Sequence, residues 1–218
     1  MKIDIKTYTP GKIICVGMNY KSHVEEQDGR FPDKPVLFSK ATSSIIKDGD
    51  TIVYPPETNE LDYEVELAVI IAKQATKISE DEASRHIYGY TIINDITARD
   101  IQREESQWYR AKSFDTFAPI GPDIVLAGDI GHAQNLNLRS YVNNGLRQNS
   151  NTSDMIFGIN KLICYISRSI TLKPGDLIAT GTPAGVGVFM KQKKMLRPGD
   201  VVSCEIEKIG KLTNRVIS

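Results

Sequence analysis

No two of the three cysteines, Cys15, Cys164 and Cys204, form a CxxC pair, and their odd number and wide scatter suit free thiols rather than a disulfide frame. Only three histidines are present, His23, His86 and His132, and neither an HExxH pattern nor a close pair occurs, which argues against zinc chemistry. Net charge is also missing: 27 basic residues balance 27 acidic ones, so neither nucleic acid nor an anionic membrane is a general partner. No apolar run approaches the roughly 20 residues of a membrane span, and the opening MKIDIKTYTPGK lacks the apolar stretch of a signal peptide. The expectation is a cytoplasmic protein. No linker-like composition interrupts the chain, so residues 1–218 are expected to form a single domain.

What is present is strand. KIICVG, PVLFSK, DTIVYP, YEVELAVIIA, YGYTIIND, DIVLAG, DLIATG and DVVSCEIEKIG are short β-rich runs set off by turn signals. Helical signals are fewer. Ser79 followed by Glu82 forms a capping-box pattern, and Thr97 reads as the N-cap of a helix through TARDIQREESQWY, with Asp100 at its third position. Most connections are too short for crossover helices, which excludes a doubly wound sheet and leaves a β-rich α+β fold, a sandwich or roll. KPGD (173–176) and RPGD (197–200) fit two type II turns, and NNGLRQNSNTSD (143–154) reads as an exposed loop or hairpin without a catalytic part.

The run LDYEVELAVIIAK (61–73) alternates, and successive side chains of a strand point to opposite faces. Glu64 and Glu66 therefore project together, yet their face turns apolar after Glu66, as if the strand ran inward and left its acids at the rim of a buried pocket. Asp95 follows a strand through Tyr88–Ile93 and adds a third carboxylate. Three such charges in one place need a cation or shifted pKa values, and Mg²⁺ or Mn²⁺ meets that need because hard ions prefer carboxylate oxygens. The same pattern also fits a solvated strand face with a turn-forming aspartate.

Three further stretches matter. His23 and Glu26 are three apart and share a face if GMNYKSHVEEQ is helical, an arrangement that fixes an imidazole's tautomer and lets it take a proton near neutral pH. Taken alone, so short a pattern reads better as an incidental surface pair. Lys112, set among apolar residues, calls for an anionic partner, either a substrate enolate or a carboxylate such as Asp115. ATGTPAGVG (179–187) is neither a Walker loop nor a GxGxxG fingerprint, but its glycines and Thr182 can bring backbone amides and a hydroxyl to a ligand.

GMNYKSH, YEVELAVII, NDITARDIQ, RAKSFDTFAPIGP and GTPAGVG, in this order, resemble the motifs of the fumarylacetoacetate hydrolase family, in particular its compact acylpyruvase-type members. One departure is Phe38-Ser39-Lys40-Ala41 where FxKP is common in the family. The resemblance implies a mixed β-sandwich roll of the family's C-terminal-domain type, a homodimer, and one divalent cation held by Glu64, Glu66 and Asp95. It further implies that 1–218 is a single catalytic domain whose N-terminal segment, about 1–45, includes a lid around 18–30 on which His23 and Glu26 activate water, and that Lys112, Gln102 and Thr182 contact substrate. The expected activity is metal-dependent cleavage of a carbon–carbon bond in an acylpyruvate-type 2,4-dioxo acid, with oxaloacetate decarboxylation or keto–enol isomerisation as the alternative on the same metal site. A non-catalytic, metal-dependent binding module is the remaining possibility.

Overall fold

The structure is a computed structural model that describes residues 3–218. The first two residues of the expected N-terminal segment lie outside it. The first half of the chain contributes strands β1 (Ile13–Gly17), β2 (Val36–Lys40), β3 (Ile45–Lys47), β4 (Thr51–Val53), β5 (Leu61–Asp62), β6 (Val65–Ile71) and β7 (Ile87–Asn94). The second half adds β8 (Thr97–Ala98), β9 (Ala118–Leu126), β10 (Asn137–Val142), β11 (Gly145–Asn151), β12 (Leu177–Ala179), β13 (Val201–Ile206) and β14 (Gly210–Ile217). Helices are short: α1 (Lys21–Glu25), α2 (Glu80–Ala83), α3 (Arg99–Glu104), α4 (Ala127–Ile130) and α5 (Ile159–Ser167).

A seven-stranded mixed sheet runs β2-β1-β12-β6-β7-β9-β3, a five-stranded sheet runs β11-β10-β13-β14-β4, and β5 pairs with β8 alone. The two large sheets pack face to face. Leu67, Val69 and Ile92 of the first meet Leu138, Cys204, Ile206 and Leu212 of the second, and α5 closes the same core with Leu162, Ile163 and Ile166. The opposite parity of β6, Ala68 and Ile70, joins Ile93, Ala118 and Ile120 in a second cluster covered by Ile5 and Tyr8 near the N-terminus. β6 is therefore buried on both faces, which is why its acid-bearing parity turns apolar.

Several local expectations hold. Ser79 and Glu82 form the capping box at α2, and Asp176 and Asp200 close their turns with N–H bonds back to Lys173 and Arg197, with positive φ at Gly175 and Gly199. Cys15, Cys164 and Cys204 are buried and unpaired. Three others need correction. The run 61–73 is not one strand, since pairing breaks at Tyr63 and Glu64, leaving Glu64 between β5 and β6. Thr97 is not a helix cap: it lies in β8 opposite Asp62 and its hydroxyl donates to the Asp95 carbonyl, so α3 starts at Arg99 after Ala98. The stretch 143–154 is a hairpin, as one of its two readings had it, with β11 as the second strand, but it is not exposed throughout, since its Gln148 is fully buried.

Candidate active site

The break at Tyr63–Glu64 positions the first acid. The Glu64 N–H donates to the Asn94 side chain at 3.0 Å and the Asp95 N–H donates to the Glu64 carbonyl at 2.9 Å, so the start of β6 and the end of β7 are stitched together. Glu66 follows on β6, where its carboxylate accepts from the Gly181 N–H at 2.7 Å. Glu64, Glu66 and Asp95 are all buried, and each offers an oxygen within 4.8 Å of the others. This is the only such grouping among the described residues.

Buried cations surround it. The Lys112 Nζ donates to Glu64 at 2.6 Å and to Asp95 at 2.8 Å, rather than to Asp115. Lys40, at the end of β2, donates to the other Asp95 oxygen at 2.5 Å and to the Ile96 carbonyl at 3.1 Å. Arg99 donates through Nε to Asp62 at 2.9 Å, and its second terminal nitrogen stands 2.6 Å from Glu64, a charge contact without the alignment of a hydrogen bond. Asp62 in turn accepts from the N–H groups of Gly187 and Val188, tying the glycine loop down.

Four buried carboxylates, Asp62, Glu64, Glu66 and Asp95, thus face three buried cations, Lys40, Lys112 and Arg99. One acid is left without a cation of its own, and that acid is Glu66. Burial first, then Asp95 and Glu64, push the Glu66 carboxyl well above its ordinary value. At Glu64 burial works in the same sense, yet Lys112 and Arg99 outweigh it and hold the pKa at about 2. Burial lowers the Lys40 ammonium despite Asp95, whereas Asp95 and Glu64 overcome burial at Lys112 and raise it. The Cys15 thiol beside this cluster is pushed well up by burial and by Asp95, which keeps it neutral.

Glu66 is the group whose partners fall short, and a divalent cation is what three clustered acid oxygens fit. Such an ion, taking the place of the Glu66 proton, would turn the cluster's balance from zero to plus one, an attractive end-point for an anionic ligand.

A cavity of about 240 Å³ opens onto this cluster. Glu64, Glu66, Lys112, His23, Gln102 and Thr182, all singled out in the sequence, line it, and Phe38, Trp108 and Phe189 supply apolar wall. The His23 Nδ1 lies 2.6 Å from Glu26, whose other oxygen accepts from the Gly185 N–H at 2.8 Å. Gln102 accepts from Arg99 at 3.0 Å. The Thr182 hydroxyl donates to the Val65 carbonyl and accepts from Gln148, which itself accepts from the Val65 N–H.

Lys40, Arg99, Asp62 and Gln148 escaped the sequence reading as site residues. Lys40 had a signal, a lysine closing the apolar strand VLFSK; Gln148 had none, lying in a polar hairpin that gives no hint of burial.

Residues 12–217 match the family described as Fumarylacetoacetate (FAA) hydrolase C-terminal. The mitochondrial oxaloacetate tautomerase FAHD2B of Bos taurus is 46% identical over 210 residues, 95% of this chain and 67% of that protein. Among solved structures, a fumarylacetoacetate hydrolase from psychrophilic Exiguobacterium antarcticum superposes with a TM-score of 0.91 at 44% identity, covering 97% of this chain and 76% of the other. A 2-hydroxyhepta-2,4-diene-1,7-dioate isomerase from Mycobacterium marinum gives 0.85 at 40% identity, covering 96% and 75%.

Proposed function

The chain belongs to the fumarylacetoacetate hydrolase family, and from that premise we propose that it is a divalent-metal-dependent enzyme interconverting the keto and enol forms of a small 2-oxo acid, oxaloacetate first among candidates. The observation that carries the reading is the buried Glu64–Glu66–Asp95 triad at the end of a 240 Å³ cavity whose wall also holds His23. Acylpyruvate cleavage, the first expectation from sequence, moves to second place, because a relative matched over 95% of the chain is an oxaloacetate tautomerase and a structural neighbour is an isomerase.

When bound by Glu64, Glu66 and Asp95, Mg²⁺ or Mn²⁺ would supply Lewis acidity to the 2-oxo group. The chain's own residues do the rest. With Nδ1 engaged by Glu26, the His23 imidazole has Nε2 left to accept a proton from the carbon next to the carbonyl and, once protonated, to give it up to oxygen. No other bond breaks and no water is consumed. Lys112, fixed between Glu64 and Asp95, sets an ammonium where negative charge gathers as the proton leaves carbon. Trp108, Phe38 and Phe189 narrow the water space around that charge.

The test follows enol loss of oxaloacetate by ultraviolet absorbance, with acetylpyruvate cleavage and pyruvate formation measured beside it. Magnesium-dependent interconversion should be the fastest of the three, and His23→Ala should lower it about a hundredfold or more while oxalate binding persists. Acetylpyruvate cleavage outrunning interconversion would overturn the assignment.

A further inference from the structure

Helix α3 lays out a second polar feature along the same cavity. Arg99 at its start reaches Glu64 at the inner end, Gln102 lines the wall, and Arg103, four residues after Arg99, stands one turn outward and also lines the cavity. Residues four apart lie on one helix face, roughly 6 Å apart along the axis. Arg103 thus puts a guanidinium on the wall of the same cavity that Glu64 and Glu66 line.

Arg103 sets a cation at the mouth. Arg103 forms an ion pair with Glu60 at 2.7 Å, and the other Glu60 oxygen accepts from Lys193 at 2.9 Å. Arg103 and Lys193 thus share one acid beside the cavity. Glu60, bound from both sides, holds Arg103 at the cavity rather than competing with it for a ligand. With its side chain 53% exposed, Arg103 keeps solvent access for N–H groups that no described residue occupies.

We propose that Arg103, steadied by Glu60, is the specificity-determining residue that receives the distal carboxylate of the substrate, so that the site selects 2-oxo dicarboxylic acids over 2-oxo acids with apolar tails. This rests on the reading that the inner end holds the 2-oxo acid head. Oxalate, which has only the chelating head, is the internal reference. A half-exposed arginine contributes less than a buried one, so the effect is moderate.

The experiment measures binding by calorimetry in the presence of Mg²⁺, using oxalate and 3,3-difluorooxaloacetate, which has no proton to lose at that carbon and so binds without turnover. Arg103→Gln should weaken difluorooxaloacetate about fivefold or more with oxalate changed less than about twofold, and Arg103→Lys should recover most of the loss. Equal weakening of both ligands, or no change in either, overturns the proposal, and Arg103→Met serves as a second variant held to the same criterion. Oxaloacetate turnover by the unaltered protein is scored separately. A selectivity shift without turnover sinks the proposed reaction and leaves the subsite standing; turnover without the shift does the reverse.

Discussion

Glu64 and Glu66 are two positions apart and both buried, yet their surroundings treat them oppositely. Glu64 is matched by Lys112 and Arg99, whereas Glu66 faces Asp95 and Glu64 with one backbone N–H for support. Replacing Glu64 by Gln removes the partner of two buried cations and should destabilise the metal-free protein by about 2–3 kcal/mol. Glu66→Gln should leave its melting temperature unchanged or raised, and both should abolish metal binding; equal destabilisation would contradict the charge assignment. The pH dependence follows from the same asymmetry. Metal-free protein keeps a proton on Glu66 above the ordinary value of 4.5, so the stability this proton lends is complete below that pH and shrinks as pH climbs toward the raised value. An ion takes the proton's place, so apparent affinity should increase with pH and binding should release a proton, read by calorimetry in buffers of different ionisation enthalpy. All three acids were legible in sequence because alternation and a strand end expose them locally. Lys40 and Arg99 were not, since their partners lie 55 residues away at Asp95 and 37 away at Asp62.

At the scale of elements, the site depends on where regular structure stops. β6 starts one residue after Glu64, β7 ends one residue before Asp95, and the glycine loop after β12 supplies the N–H that holds Glu66. Gly181 has φ +99°, and a Cβ there would stand 2.8 Å from the Asn19 Cβ and 3.0 Å from the Val16 carbonyl. Gly181→Ala should therefore cost about 1–3 kcal/mol and weaken metal affinity by displacing the N–H from Glu66. Gly175→Ala, at φ +82° with nothing within 4 Å, should lower stability alone. Metal affinity equal in the two variants would refute this role for the loop. Sequence periodicity located β6, β7 and the two turns correctly but could not see the break before Glu64. Apolar alternation continues through Leu61, Tyr63 and Val65, and it is pairing of β5 with β8, a tertiary event, that ends the strand. The same pairing takes Thr97 away from the helix start.

Across the whole molecule, the central strands β6 and β12 of the seven-stranded sheet are buried on both sides and the acids stand at one end of β6, a rigid frame for groups that repel one another. Its sandwich class was readable from short strands and short connections, while the strand order was not, because β1 lies beside β12, about 160 residues along the chain. We propose a homodimer, as the resemblance implies, and a cytoplasmic location, as the composition suggests. Exposed Phe31, Tyr109 and Leu146 are apolar surface available to a second copy, and light scattering should return about twice the chain's 24.3 kDa. The most direct test of the central claim is oxaloacetate tautomerisation by protein stripped with chelator and then titrated with Mg²⁺. Activity should be absent after stripping, return with one ion per chain, and fail to return in Glu66→Gln. Full activity in the stripped protein, or in Glu66→Gln, would contradict it.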